Sequence, residues 1–267
     1  MPYVDTSDLR IHYLMEGSGE RPVLVLANSL GTNLSMWDGQ TATFLREFDL
    51  LRFDMRGHGG SSVPADSFTL GDAACDVLTL LDHLHIPRAH FCGLSLGGMI
   101  GQWLAVHAPK RFDRFVLCNT AAKIGTTASW NERIDRVTSE GMEAIVPAVL
   151  ERWFTPHFRS EHAAEIEHTA RMLLATDPHG YVLTCAAIRD MDLRADVAAI
   201  PLEVLVVYGI HDSVTPAADA EFLLGQIPNS QGLALQAAHL SNVEAAEKFS
   251  AGVLAFLQSN SGGKSHG

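Results

Sequence analysis

The most informative stretch of the chain is FCGLSLGGM, at residues 91–99. It contains the pattern G-x-S-x-G, with an apolar run typical of a strand directly before it and a helical pattern directly after it. In that context Ser95 lies on a tight strand-to-helix turn, where side chains larger than those of Gly93 and Gly97 would collide with neighbouring backbone. The alternative is a Gly-rich helix start with a serine N-cap. The flanking strand and helix favour a nucleophilic serine whose hydroxyl projects above a sheet.

Around this motif, short apolar runs alternate with longer segments of helical period, which is the pattern of a mostly parallel sheet with crossover helices. The predicted strands span residues 9–15, 23–27, 50–53, 89–92, 115–118, 203–208 and 232–236. The predicted helices between them span residues 70–84, 98–107, 217–226 and 242–257. The fold class is therefore α/β.

One segment, residues 121–200, interrupts the alternation and contains no convincing strand. Helical spacing occurs there over residues 134–139, 142–154, 163–175 and 181–191. Because the strand–helix alternation resumes afterwards, we interpret 121–200 as a helical cap inserted into a single core formed by residues 1–120 and 201–258. The Gly/Ser-rich stretch 259–267 is predicted to be a disordered tail.

Composition excludes several classes of protein. The 267 residues are 47% hydrophobic, which excludes disorder of the whole chain and allows one large domain or two small ones. The formal net charge is −12, and long-range repulsion at this charge argues against nucleic acid as a partner. No apolar run approaches the roughly 20 residues that span a bilayer, and the N-terminus MPYVDTSDLRIHY lacks the pattern of a secretory signal.

The four cysteines favour the cytoplasm. Cys75, Cys92, Cys118 and Cys185 are far apart in the sequence and form no cluster with metal-ligand spacing. We expect buried thiols in a reducing compartment.

A serine nucleophile needs a histidine to take its proton and a carboxylate to orient that histidine, and in this fold they follow in the order serine, acid, histidine. His239 follows a late predicted strand and precedes the last predicted helix. Ser241 and Glu244 have the spacing of a capping box, which would begin that helix just after the histidine. His211, His58 and His12 are the competing histidines.

Asp212 is the predicted acid. It lies in the turn GIHDSVTP, at the carboxyl end of a predicted strand, where loops of an open α/β sheet build sites. The alternative is a turn aspartate that caps the next helix. The other possible acid position, after the strand ending at Cys118, holds Asn119, which cannot ionise.

Two backbone N–H groups are needed to stabilise the oxyanion of the tetrahedral intermediate. One is predicted to belong to Leu96, the residue after the serine. The other should come from the loop NSLGTN at residues 28–33, with Leu30 as the predicted donor. An ordinary polar turn is the alternative interpretation of that loop.

Together these motifs resemble those of the α/β-hydrolases, and among them the 3-oxoadipate enol-lactonases. The resemblance rests on ANSLGTNLSMWD (27–38), FDMRGHGGS (53–61), CGLSLGGMIGQWL (92–104), LCNTAAKIGT (117–126), WNERI (130–134), GIHDSVTP (209–216) and AAHLSNVE (237–244). The resemblance implies hydrolysis of a small anionic lactone, 3-oxoadipate enol-lactone, in the catabolism of protocatechuate or catechol. It implies no metal or organic cofactor.

An anionic substrate requires a local cation on an acidic protein, and the arginine fork suits a carboxylate best. Arg133 is the predicted cation and Trp130 an apolar wall beside it. Alternatively, Arg133 is a solvated side chain that pairs with Glu132 or Asp135. Three other functions remain possible: a broad carboxylesterase, a C–C bond hydrolase, and a non-enzymatic receptor or scaffold with the hydrolase fold.

Overall fold

The computed structural model describes residues 2–6 and 9–259. Apart from residue 259, the predicted tail 259–267 lies outside the described residues. Within these ranges no helix is both long enough and apolar enough to cross a membrane.

Eight strands form one sheet in the described part of the chain. They are β1 (Tyr3–Asp5), β2 (Arg10–Glu16), β3 (Val23–Ala27), β4 (Asp49–Phe53), β5 (Ala89–Leu94), β6 (Phe112–Cys118), β7 (Glu203–Gly209) and β8 (Ser230–Leu235). Their order across the sheet is β1-β2-β4-β3-β5-β6-β7-β8. The pairs β1–β2 and β2–β4 are antiparallel and the remaining pairs are parallel. The predicted mostly parallel sheet is confirmed.

The burial of the central strands explains why their apolar runs could be recognised in the sequence. Each of β3, β4, β5 and β6 has at most one residue that is not buried, as expected for parallel strands covered on both faces. The predicted strand 23–27 agrees with β3 at both ends. The edge strands were predicted less accurately than the central ones. Strand β1 was not predicted, and β8 begins two residues before the predicted start. In β8 only Leu235 is buried, so the apolar pattern defines it poorly.

Eleven α-helices lie in the same part of the chain, together with four short 3₁₀ turns. The helices are α1 (Asp38–Phe44), α2 (Leu70–His83), α3 (Leu96–His107), α4 (Thr127–Glu140), α5 (Val146–Trp153), α6 (Pro156–Glu161), α7 (Ala163–Ala175), α8 (Pro178–Asp190), α9 (Ala217–Gln226), α10 (Ser241–Glu244) and α11 (Ala246–Gln258). The predictions for α7 and α9 match both ends. The predicted helix 242–257 is wrong as one element, because the backbone breaks at Ala245.

Other differences have local causes. The predicted helix 142–154 divides into a 3₁₀ turn and α5, which begins next to Pro147, a residue that cannot donate a helical hydrogen bond. The short helices α1 and α6 were not predicted. For α6 a signal existed: the Thr155 hydroxyl caps Phe158 N–H, and Pro156 is the first helical residue.

Helices α4 to α8 follow one another between β6 and β7, and residues 121–200 contain no strand. This segment contacts the rest of the chain near the carboxyl edge of the sheet. A Cβ on Gly180 of α8 would lie 2.5 Å from the carbonyl oxygen of Gly57. Leu240 N–H donates to the carbonyl of Trp153 at 3.1 Å. That this segment acts as a cap remains a prediction.

The parallel pairing of β3, β5, β6, β7 and β8 places the residues that follow each of these strands at one edge of the sheet. The residues that follow these strands are Asn28, Ser95, Asn119, Ile210 and Gln236. The candidate site is built at this edge.

Candidate active site

Ser95 lies between β5 and α3 with φ 58° and ψ −113°, a backbone conformation that residues other than glycine rarely adopt. The turn is tight enough that a Cβ on Gly93 would lie 2.2 Å from the carbonyl oxygen of Gly97. A Cβ on Gly97 would lie 2.3 Å from the carbonyl oxygen of Ala27. Helix α3 starts at Leu96, two residues before the predicted start, so Ser95 stands directly at its N-terminus.

His239 connects the serine with the carboxylate. Its Nε2 lies 2.9 Å from Ser95 Oγ, and its Nδ1 lies 2.8 Å from Asp212 Oδ2. The side chains of His239 and Asp212 are almost completely buried. His239 is 144 positions from Ser95 and 27 positions from Asp212 in the chain, yet the strand ends bring the three residues into one hydrogen-bonded line.

Asp212 is held by its own turn and by two neighbouring strands. Val214 and Thr215 N–H groups donate to Oδ1 at 2.7 and 3.1 Å, and the Thr215 hydroxyl donates to Oδ2 at 2.8 Å. Asn119 Nδ2 donates to Oδ2 at 3.0 Å. Burial by itself would raise the pKa of Asp212, but the charge of His239 and the hydrogen bonds from His239, Asn119 and Thr215 outweigh it and lower that pKa. The carboxylate therefore stays ionised beside the imidazole.

The predicted capping box after His239 is wrong. Ser241 is the first residue of α10 rather than its N-cap, and its hydroxyl donates to Asn119 Oδ1 at 2.5 Å. Glu244 instead accepts from Ala238 N–H at 2.8 Å and from the N–H and hydroxyl of Thr155. The loop that carries His239 is thus fixed by contacts from distant parts of the chain, which local spacing does not reveal.

The loop after β3 is hydrogen-bonded to the first turn of α3. Gly97 N–H donates to the carbonyl of Asn28 at 3.0 Å, and Gly31 has φ +76°. Leu30 and Leu96 therefore lie at the same edge of the sheet as Ser95. Leu96 is the first residue of α3, where backbone N–H groups lack intrahelical partners.

The competing histidines lie in other surroundings. His12 Nδ1 pairs with Asp54 at 2.6 Å, His58 Nδ1 contacts the carbonyl of Arg56 at 3.1 Å, and His211 is exposed. In the described ranges no group of three or more His, Cys, Asp or Glu side chains is arranged to hold a metal ion.

A cavity of about 390 Å³ opens between α4, α5 and the turn that carries Asp212. Ser213 and Val214 line it from the core, Trp130 and Arg133 from α4, and Arg152 from α5. Trp130 is buried and its Nε1 donates to the carbonyl of Ile124 at 2.7 Å.

Arg133 faces this cavity without a carboxylate partner. Its guanidinium carbon lies 5.2 Å from the centre of the Trp130 ring, and Nη1 contacts the Tyr181 hydroxyl at 3.5 Å. Among the described residues, neither Glu132 nor Asp135 forms an ion pair with it. The ion pair with Glu132 or Asp135 that the alternative interpretation of Arg133 requires is therefore not formed in the described part of the chain.

Arg152 was missed by the sequence reasoning. It is half-buried, and burial together with the charge of Arg133 lowers its pKa. In the described part of the chain it too forms no ion pair. Arg133 and Arg152 line the cavity together with Arg136, against one carboxylate, that of Glu132, so the cavity carries a local excess of positive charge on an acidic protein. No sequence signal joined Arg152 to Arg133, because they lie on separate helices that meet only in the folded chain.

Tyr181 connects this positive site with the loop after β3. Its side chain is almost completely buried, and its ring carbon Cε2 lies 3.1 Å from where a Cβ on Gly31 would stand. Its hydroxyl points to Arg133. The Tyr181 side chain therefore contacts both the guanidinium of Arg133 and the loop that contains Leu30.

The α/β-hydrolase class is defined by a mostly parallel sheet that carries a serine on a strand-to-helix turn. An acid and a histidine follow this serine in the chain and lie at the same edge of the sheet. The profile of the family described as alpha/beta hydrolase fold matches residues 22–195. The chain belongs to this family.

Relatives with similar sequences carry a more specific name. The chain is 41% identical to 3-oxoadipate enol-lactonase 2 of Acinetobacter baylyi, over 94% of each chain. It is 37% identical to 3-oxoadipate enol-lactonase 1 of the same organism, over 88% of each chain. The crystal structure of the enol-lactonase from Burkholderia xenovorans superimposes with a TM-score of 0.95 at 40% identity, covering 97% of this chain and 100% of that one. The resemblance predicted from the motifs is confirmed.

Proposed function

We propose that this protein hydrolyses 3-oxoadipate enol-lactone to 3-oxoadipate, a step in the catabolism of protocatechuate or catechol. The observation that carries the proposal is the identity of 41% with an enzyme of that name over 94% of the chain. The line of hydrogen bonds from Ser95 through His239 to Asp212 supports it, since this arrangement is what ester hydrolysis by a serine requires.

In the first half of the reaction, Ser95 Oγ attacks the lactone carbonyl carbon while His239 Nε2 accepts its proton. The N–H groups of Leu30 and Leu96 stabilise the oxyanion that forms. The ring C–O bond then breaks, and the ring oxygen leaves as an enolate, which is a better leaving group than an alkoxide. The enolate takes up the proton that His239 Nε2 accepted from Ser95 and becomes the ketone. His239 is then neutral again, and the acyl group remains on Ser95 as an ester.

In the second half, His239 takes a proton from a water molecule that attacks the acyl carbon. The ester bond to Ser95 breaks, and His239 returns the proton to Oγ. Asp212 stays ionised throughout and stabilises the imidazolium, which its lowered pKa supports. Leu30, Leu96 and the three side chains suffice for this chemistry without a metal or organic cofactor.

The carboxylate of the substrate binds at Arg133, with Trp130 as the apolar wall, and Arg152 completes the positive site. The absence of ion pairs at both arginines among the described residues supports this assignment, because the two charges are free to receive an anion. Helices α4 and α5 then belong to a cap formed by residues 121–200 over the core. A cytoplasmic location accords with four free cysteines, although Cys75 is exposed rather than buried as predicted.

The decisive experiment compares the wild type with Ser95→Ala on freshly generated enol-lactone and on p-nitrophenyl acetate, by absorbance. We expect the wild type to prefer the lactone by at least about 100-fold in kcat/KM. Ser95→Ala should lose at least about 1,000-fold of that activity, as removal of a triad nucleophile does. Ser160→Ala, at an exposed serine of α6, is the matched control and should behave as the wild type.

The alternatives give different results in the same experiment. Preference for p-nitrophenyl acetate over the lactone indicates a broad carboxylesterase and contradicts the proposal. Mass spectrometry after fluorophosphonate treatment tests the nucleophile itself. If no adduct formed on Ser95, every serine-hydrolase interpretation would be lost, leaving the receptor or scaffold.

A further inference from the structure

Asn119 follows the last residue of β6 and stands where the sequence offered the alternative acid. It is almost completely buried and has φ +43°, one of three positive values at residues other than glycine in the described part of the chain. Its N–H donates to the carbonyl of Val207 in β7 at 2.8 Å. The backbone conformation turns the side chain toward the acid and the histidine loop.

Every polar group of the Asn119 side chain is used at the site. Nδ2 donates to Asp212 Oδ2 at 3.0 Å and to the carbonyl of Ala238 at 3.1 Å. Oδ1 accepts from the Ser241 hydroxyl at 2.5 Å. Ala238 and Ser241 lie on either side of His239. One side chain therefore holds the acid and both sides of the histidine.

The contacts require an amide. Two of them need a donor, and a carboxylate can donate to neither Asp212 nor the carbonyl of Ala238. An aspartate at position 119 would instead place a second negative charge 3.0 Å from the oxygen that receives His239 Nδ1. An alanine would leave Asp212 Oδ2, Ala238 and Ser241 each without one of their partners.

We propose that Asn119 is a positioning residue for this reaction: it orients Asp212 and the His239 loop together, so that the imidazole keeps the orientation that accepts the Ser95 proton. This inference rests on the proposed roles of Ser95, His239 and Asp212. It does not depend on the lactone being the substrate. Asn119 acts through Asp212 and His239 and does not touch the reacting atoms.

The test uses Asn119→Asp, Asn119→Ala and the milder Ser241→Ala, with Asn229→Asp as the matched control. Asn229 is exposed before β8, so its variant has the same charge change away from the site. The first readout is the second-order rate of Ser95 labelling by a fluorophosphonate, corrected for the folded fraction from circular dichroism. The second is the pH profile of kcat/KM for the better of the two ester substrates.

We expect Asn119→Asp and Asn119→Ala to lower the labelling rate by at least about tenfold, and Ser241→Ala to lower it less. In Asn119→Asp the added negative charge favours the imidazolium, so the acidic limb of the profile should move upward by on the order of one pH unit. A merely structural role would change the thermal midpoint and leave both readouts of the folded protein unchanged.

The inference is overturned if both Asn119 variants label within about twofold of Asn229→Asp and keep the wild-type pH profile. Labelling also separates this test from that of the proposed function. A wild type that is labelled but does not open the lactone contradicts the substrate assignment, while the Asn119 comparison still holds. If Asn119→Asp does not fold, Ser241→Ala decides by the same two readouts.

Discussion

At the scale of single residues, the turn around Ser95 tolerates little added volume. Gly97→Ala would place its Cβ 2.3 Å from the carbonyl oxygen of Ala27, and backbone cannot move aside cheaply. We expect a loss of at least about 2 kcal/mol in the free energy of unfolding, measured by urea denaturation. In Gly225→Ala the new Cβ meets nothing within 4 Å, and the helical position should give a gain of up to about 1 kcal/mol. Equal effects of the two variants would contradict the steric argument.

The two arginines of the cavity make a second prediction at this scale. Arg133→Ala and Arg152→Ala should each raise KM for the anionic lactone by about 10- to 100-fold, because a charge-assisted hydrogen bond to the carboxylate is lost. The kinetics on neutral p-nitrophenyl acetate should change little. Arg171→Ala, which removes an exposed arginine paired with Glu167, is the matched control. An unchanged KM for the lactone in both variants would show that its carboxylate binds elsewhere.

At the scale of elements, Glu244 of α10 connects the segment between α5 and α6 with the loop of His239. Its carboxylate accepts from Thr155 and from Ala238 N–H at 2.8 Å, while Leu240 N–H donates to Trp153. Glu244→Gln keeps the shape of the side chain, but its amide NH₂ group would face either Thr155 or the Ala238 N–H, which are themselves donors. We expect a loss of about 1–3 kcal/mol in unfolding free energy and a lower kcat with little change in KM. The exposed Glu247→Gln in α11 is the control, and identical behaviour of the two variants would disprove this coupling.

At the scale of the whole molecule, stability should fall as the pH falls below neutrality. Burial lowers the pKa of His58 from 6.5, although the Arg56 carbonyl and Asp54 oppose this, so below pH 6.5 the unfolded chain binds this proton more readily than the folded one. The contribution to stability is lost as pH falls through 6.5, by up to about 1.4 kcal/mol per pH unit. Asp212 contributes to the pH dependence of stability with the same sign but at lower pH, because its pKa in the folded protein lies below the ordinary 3.8.

The measurement is urea unfolding at several pH values between 5.5 and 7. His58→Asn keeps a donor for the Arg56 carbonyl and should flatten the slope of unfolding free energy against pH. His90→Asn should flatten it less, since His90 is only half-buried although burial lowers its pKa too. His179→Asn, on the exposed side of α8, is the control. A slope unchanged in His58→Asn would refute the assignment.

Much of the fold was predictable because its signals are local. The apolar runs of the central strands, the G-x-S-x-G turn and the alternation of strand and helix depend on neighbours a few residues away. Strand ends in a parallel sheet meet at one edge, so the chain order of Ser95, Asp212 and His239 was enough to bring them together in the prediction. The short helices α1 and α6 and the edge strand β1 were lost because short elements carry few periodic positions.

What the sequence by itself determined is therefore the fold class, the tight turn at Ser95 and the set of three side chains, Ser95, His239 and Asp212, that form one hydrogen-bonded line. Only the tertiary structure decided how that line is held: Asn119 rather than Glu244 is the partner of Ser241, and Arg152 joins Arg133 from another helix. The physical reason is the distance along the chain over which each feature is specified. A turn or a helix is specified by residues close in the chain, whereas a hydrogen bond or a shared cavity depends on which distant groups the packed chain brings within about 3 Å.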